Sequence, residues 1–321
     1  MLPDDIEMIR QIMPDDMTFN YYADRESPWL LAQMMRAPAM RVADLRAGPA
    51  AKLLTRPLVR PVVAACGGTL ARADLLATAH ADRAQTPSAA GLAGITQAFG
   101  QPWQDFGLSF DAWGTKPDRD VQMSRQGGNL VLQLGFPSDH AALLGQCLPH
   151  GQRDKFEFGG HPIRQRGRPT LAWARLDLDL DAGACLIEEV QCDWLRYASR
   201  HVARLARRAP QTRQFRVHQA YEQGLIARYA KGWPATLMLA VLMVLREEFG
   251  IRTVWMHQPQ TGVALKGIYG TAPPRSLYTA LPKAFCFAPT RKAPAFLERP
   301  CRKRLKRLRQ ETGPLFWKLV L

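Results

Sequence analysis

The sequence holds no Cys-x-x-Cys pair and no cysteine and histidine spacing of the kind that binds zinc. Its thiols, Cys66, Cys147, Cys185, Cys192, Cys286 and Cys301, stand far apart. That pattern reads as reduced cysteines in a reducing compartment, not a disulfide framework, and no metal is expected. The longest apolar run, Leu237 to Leu245, falls well short of the ~20 residues that a bilayer span needs. The opening MLPDDIEMIR has acids where a secretory leader carries an apolar segment. No internal repeat and no low-complexity tract is found. These absences lead to the expectation of a cytoplasmic protein with no membrane span; its oligomeric state is left open.

Acidic residues are also scarce. Lysine and arginine number 43 against 28 aspartates and glutamates, a formal net charge of +15. Such an excess favours polyanionic partners, nucleic acid first among them. The competing reading is an arginine-rich composition that serves solubility alone. With 321 residues, 47% of them hydrophobic, the chain has enough apolar surface for one large or two ordinary domains.

Residues 1–100 are expected to be mainly helical. Asp4 and Asp5 precede an apolar stripe at Ile6, Met8, Ile9 and Ile12, and Ser27-Pro28 marks a second helix start. The polar stretch 82–90 reads as a linker. An α/β domain is expected over 101–298, with a basic helical insertion at about 195–231, and a basic tail over 299–321. Within the domain, Asn129–Leu134 reads as a strand, His140–Cys147 as a helix, and Pro234–Phe249 as a helix apolar on nearly every side, hence central. Ile251–His257 and Phe285–Phe287 read as later strands. Because strands alternate with helices only after a meander, the central sheet should be mixed.

The most informative stretch is Leu186-Ile187-Glu188-Glu189-Val190-Gln191-Cys192-Asp193-Trp194. Alternation along a strand puts Ile187, Glu189, Gln191 and Asp193 on one face and Leu186, Val190, Cys192 and Trp194 on the other, with Glu188 as a misfit. The preceding strand, Thr170 to Leu180, turns Trp173, Arg175, Asp177 and Asp179 to one face and Ala172, Ala174, Leu176, Leu178 and Leu180 to the other. The turn Asp181-Ala182-Gly183 joins the two into a hairpin with one apolar and one polar face. Carboxylates on a strand face are solvated, paired or used, and directly opposed residues sit ~5 Å apart. A cleft containing Arg175, Glu189, Gln191 and Asp193 is therefore expected. Glu189 is the candidate base if its neighbours raise its pKa, while Gln191 and Asp193 orient an acceptor. His257, at a strand end, is a candidate acid or base, and so is His161 before Pro162.

This order of elements resembles the GNAT-type N-acyltransferase fold over residues 129–290. There a strand and helix are followed by a three-strand meander, a long helix, a strand, a helix and a closing strand. The resemblance implies an α/β chain of GNAT-like architecture that transfers an acyl group to an amine, from an acyl-CoA or another acyl donor. The segment Leu277-Tyr278-Thr279-Ala280-Leu281-Pro282 is similar to the family's tyrosine-containing segment, which implies that Tyr278 acts as acid toward the departing thiolate. The family binds the coenzyme A pyrophosphate at the start of the long helix. That implies a role for Lys231 and Gly232, although the stretch Tyr229–Thr236 has one glycine, a tryptophan and a proline without a donor. Locally, Glu188–Trp194 with the downstream Tyr-x-x-Leu-Pro resembles a signature of phage and bacterial proteins that carries no known activity.

Two other functions compete. One is a non-catalytic nucleic-acid-binding protein. Arg196, Arg200 and Arg204 recur at helical spacing, with Arg207 beyond, and the tail adds Arg302, Arg304 and Lys306. The other is a Mg²⁺-dependent nuclease, in which Glu189-x-Gln191 and Asp177 or Asp179 make the hairpin pattern of a metal site.

Overall fold

The computed structural model describes residues 1–80, 103–115, 122–147, 155–164, 167–268, 274–311 and 313–321. The chain begins with helix α1 (Pro3–Ile12), strand β1 (Met17–Tyr21) and α2 (Glu26–Met34). Then come β2 (Ala39–Arg41), α3 (Val42–Arg46), α4 (Val59–Ala65), β3 (Thr69–Ala71) and α5 (Arg72–Ala79). The α/β part follows with β4 (Gln104–Trp113), β5 (Asn129–Gly135), α6 (His140–Cys147), β6 (Thr170–Asp179) and β7 (Ala184–Gln191). Helices α7 (Asp193–Arg208), α8 (Arg213–Leu225) and α9 (Trp233–Met243) lead to β8 (Thr253–His257) and α10 (Pro259–Lys266). The chain finishes with α11 (Ala280–Ala284), β9 (Ala288–Thr290), α12 (Ala295–Glu298), α13 (Arg302–Leu308) and β10 (Phe316–Val320).

Eight strands form one mixed sheet in the order β1-β4-β5-β6-β7-β8-β10-β9. All neighbours are antiparallel except β7 and β8, which run parallel. A parallel pair needs a long crossover, and α7, α8 and α9 supply it. Helix α9 is buried on almost every side, with Leu237, Leu239, Ala240 and Leu242 fully enclosed. The helical segment it begins ends where Gly250 adopts φ +65° and the Ile251 amide reaches back to the Leu245 carbonyl, a glycine-dependent stop.

The two sheet faces carry separate cores. The larger core gathers Trp29, Leu132, Ala174, Leu176, Ile187, Val190 and the inner residues of α9. The smaller core, over β7, β8 and β10, gathers Leu186, Trp255, Leu265, Leu297, Leu305 and Phe316. Helix α7 contributes Trp194 and Ala198 to the first core, and α13 contributes Leu305 and Leu308 to the second.

Several expectations need correction. The hairpin forms as read, but its register shifts between Arg175 and Leu176, because Arg175 faces Glu189 while Leu176 faces Ile187. One strand then has an extra residue, Glu188, a β-bulge that reverses the alternation. Ile187 therefore lies in the larger core with Val190, opposite Glu189 and Gln191, and Asp193 belongs to the first turn of α7. Phe285–Phe287 is no strand: Phe285 ends α11, and β9 begins at Ala288. Residues 316–320 are not a mere anchor but a sheet strand between β8 and β9. Two strands, β6 and β7, follow α6 among the described residues, where a three-strand meander was expected. The N-terminal part is mainly helical, yet its β1 pairs with β4 and so belongs to the main sheet. The expected linker at 82–90 lies outside the described residues. Among the described residues, no helix is long and apolar enough to cross a membrane.

Candidate functional site

The bulge in β7 brings four charged side chains into one buried cluster. Arg175 on β6 and Glu189 on β7 are cross-strand partners and form an ion pair with both side chains almost wholly enclosed. Lys266, from the last turn of α10, lies 3.7 Å from Glu189 Oε2 and donates from Nζ to the Glu188 carbonyl oxygen at 3.0 Å. Gln191 donates to the second oxygen of Glu189. Burial pushes the Glu189 carboxyl up, but Arg175 and then Lys266 outweigh it and hold the group below its ordinary value. The base role expected for Glu189 required the opposite direction. An ionised carboxylate with two cations and an amide on it acts as an anchor.

Glu188, the apparent misfit, is the deepest acid of the group. Its carboxylate accepts from the Ser124 amide and hydroxyl at 3.0 Å each, and its Oε2 lies 3.1 Å from His257 Nε2. Ser124 Oγ is also 3.0 Å from that imidazole nitrogen. Burial raises its pKa, while hydrogen bonding and charge from His257, then Lys266 and Arg175, bring it down to about 2. Ser, His and Glu therefore meet, but not as a nucleophile with its base. One ring nitrogen serves both partners, and the other, Nδ1, is buried without a partner among the described residues. A catalytic relay uses the two nitrogens for different neighbours.

Asp193 is bound at the start of α7. Its Oδ2 takes His161 Nδ1 at 2.7 Å and Trp173 Nε1 at 3.1 Å, and its Oδ1 pairs with Arg196. Arg196 also reaches Gln191 Oε1 at 3.4 Å, which links this group to the Glu189 cluster. Asp177 is held bidentately by Arg125 at 2.7 and 2.8 Å. The carboxylates of Asp177, Glu188, Glu189 and Asp193 thus all have protein donors. Among the described residues no set of three or more His, Cys, Asp or Glu side chains is arranged to hold a metal ion. The donor set fits a closed ionic core better than the open carboxylate pair that Mg²⁺ requires.

Beyond the bulge the sheet parts. Parallel pairing between β7 and β8 runs from Ala184–Thr253 to Ile187–Met256 and stops there. Further along β7, the Val190 amide donates to the Tyr278 hydroxyl at 3.4 Å. Tyr278 and Lys266 form part of the wall of a cavity of about 300 Å³ whose other lining includes Gln258, Gly262, Val263 and Arg275. Burial, then the charge of Glu189, pushes the Tyr278 phenol up, so it keeps its proton at neutral pH. Its backbone carbonyl accepts from Trp317 Nε1 at 2.8 Å, which ties the tyrosine segment to β10.

The sequence-derived set is therefore gathered in part. Arg175, Glu189 and Gln191 meet directly, Tyr278 joins through the Val190 amide, His257 joins through Glu188, and Asp193 joins through Arg196. Lys231 and Gly232 line no part of this cavity. The Gly232 amide donates to the Tyr229 carbonyl at 3.1 Å, so that donor is already in use. Arg196, Arg200, Arg204 and Arg207 lie on α7, whereas Arg302, Arg304 and Lys306 lie on α13, over the opposite face of the sheet. Arg304 is moreover engaged, donating to the Leu265 carbonyl at the end of α10. Sequence reading missed Ser124, Lys266 and the importance of Glu188. A charge at a strand position that alternation assigns to the core was the available sign of a bulge, and Lys266 was the one cation in the apolar Val263–Ile268 run.

Comparison with protein-family models, with curated proteins and with solved structures returns no match.

Proposed function

We propose that the chain is an acyltransferase-like enzyme whose reacting groups meet at the opening between β7 and β8. The observation that carries this reading is Tyr278, which lines a cavity of about 300 Å³ and whose hydroxyl accepts from the buried Val190 amide just behind it. The Val190 N–H lies past the end of the β7–β8 ladder and donates to the Tyr278 hydroxyl; an acyl carbonyl that displaces this contact would be polarised by it. A neutral phenol next to it is suited to give a proton to the departing group. Arg175, Glu189, Lys266 and Glu188 then serve as the rigid support that fixes β7 at the bulge and holds the Val190 amide in position. The sheet order β5-β6-β7-β8-β10-β9, with its parallel β7–β8 pair and the crossover through α9, also supports the reading.

The acyl donor is kept general. With the Gly232 amide already engaged, recognition of the donor is assigned to its acyl end in the cavity.

The test is a panel of acyl thioesters and acyl phosphates with amine acceptors, followed by product mass spectrometry, on the wild-type protein and Tyr278→Phe. Loss of the hydroxyl should lower the transfer rate by roughly 10²–10⁴-fold, the usual range for a proton-transfer group, while thermal stabilisation by the donor persists. Absence of both donor-dependent stabilisation and product across the panel would remove the proposal.

A further inference from the structure

Where β7 ends and α7 begins lies an aromatic and basic surface that the acyl-transfer reading does not use. Phe158 is 42% exposed, the largest aromatic exposure among the described large hydrophobic residues of the chain. Its ring lies nearly parallel to Tyr197, at 13° with centroids 6.0 Å apart. His161 packs edge-on against Phe158 at 4.6 Å and against Trp173 at 5.2 Å. The hydrogen bond from His161 to the buried Asp193 fixes that imidazole. An exposed phenyl ring is thus held in place from beneath instead of turning freely in solvent.

Cations surround this pair of rings. The guanidinium carbons of Arg196 and Arg200 each lie 5.6 Å from the Tyr197 ring centre. Along α7 the basic row continues with Arg204 and Arg207, both exposed. Arg200 and Arg207 make no ion pair among the described residues, and Arg204 is hydrogen-bonded to Nδ1 of His201 at 2.7 Å. Arg196 is the exception, being paired with Asp193. A helical rise of 1.5 Å per residue sets Arg200 and Arg204 ~6 Å apart along the axis.

The geometry points to a binding platform for single-stranded nucleic acid on this surface. Bases stack on the Phe158 and Tyr197 rings, and the backbone phosphates follow Arg200, Arg204 and Arg207. The rings select single strands over duplex, because a base presents its face only when it is unstacked from its neighbours. A purely basic helix would not discriminate, since it meets phosphates in either form. The α13 arginines are not part of this platform, as they lie over the other face of the sheet.

The experiment is fluorescence anisotropy of the full chain with a labelled oligothymidylate, with a labelled duplex of equal length, and with phosphatidylserine vesicles as competitor. The expected result is tighter binding of the single strand, falling as salt rises. Phe158→Ala should weaken the single strand about tenfold and leave the duplex unchanged, as loss of one stacked base implies. Phe158→Tyr should restore binding, and Arg200→Glu should weaken both nucleic acids. Circular dichroism melts of each variant separate these effects from misfolding. Equal affinity for both nucleic acids with no response to Phe158→Ala would overturn the inference. So would displacement of the oligonucleotide by vesicles at lower concentration than by unlabelled single strand, or no binding at low salt.

Discussion

Arg175 and Glu189 stand directly opposite one another in the β6–β7 ladder and close an ion pair inside the protein, immediately beside the extra residue Glu188. Removal of one member of a buried pair leaves the other charge without its partner, at a cost of about 3–5 kcal/mol. Arg175→Met should therefore lower the unfolding free energy by about 3 kcal/mol in urea titration. The double change Arg175→Met with Glu189→Leu should recover most of that loss, because apolar replacement of a whole buried pair is close to neutral. Equal destabilisation of the single and double variants would show that the pair is not the unit of stability.

Acid should loosen the same region. The Glu188 carboxyl titrates at about 2 in the folded protein, against an ordinary 4.5. Glu189 and Asp193 are also held below their ordinary values. A depressed folded-state pKa contributes stability that is fully present above the unfolded value and is lost as pH falls from about 4.5 toward 2. The unfolding free energy should therefore decline steeply in that window, and Glu188→Gln should flatten the decline. An identical acid limb in wild type and variant would contradict the assignment.

Glu26 should act in the opposite sense. Burial, with the nearby Asp24 charge, raises its carboxyl to about 7, although Tyr21 donates a hydrogen bond to it at 3.0 Å. The folded state then binds a proton more tightly than the unfolded one. Stability is lost as pH rises from about 4.5 through 7. Glu26→Gln keeps the acceptor for Tyr21 and removes the charge. It should raise the unfolding free energy at pH 8 by roughly 1–3 kcal/mol and have little effect at pH 5. Denaturant titrations at the two pH values measure the difference.

Leu242 tests the centre of the larger core. It is fully enclosed on α9, and Leu242→Ala should cost about 2–5 kcal/mol. The loss should be read in the denaturant midpoint with the slope unchanged. A cost below 1 kcal/mol would place the core elsewhere.

Much of this was legible along the chain, and the failures share a cause. The β6–β7 hairpin, α9, β8 and the basic helices follow from apolar periodicity and turn residues, which act locally. Ile187 was put on the wrong face because alternation assumes an unbroken register, and the single inserted residue at Glu188 inverts every position after it. The strand at 316–320 was read as an anchor because nothing local reveals that Trp317 pairs with Met256. Lys266 and Ser124 were passed over because each is an ordinary residue in its own segment. Their roles come from Glu188, which lies 78 and 64 residues away along the chain.

The order of residues by itself determined the β6–β7 hairpin, α9 and β8, that a mixed sheet would form, and that the acids near Gln191 required partners. Tertiary structure alone decided which partners they took, that Glu189 is neutralised instead of poised as a base, and that the two basic helices lie over opposite faces of the sheet. The physical reason is range: backbone propensity and apolar period are properties of neighbours in sequence, whereas the charge state of a buried carboxylate depends on groups brought within a few ångströms by the folded sheet.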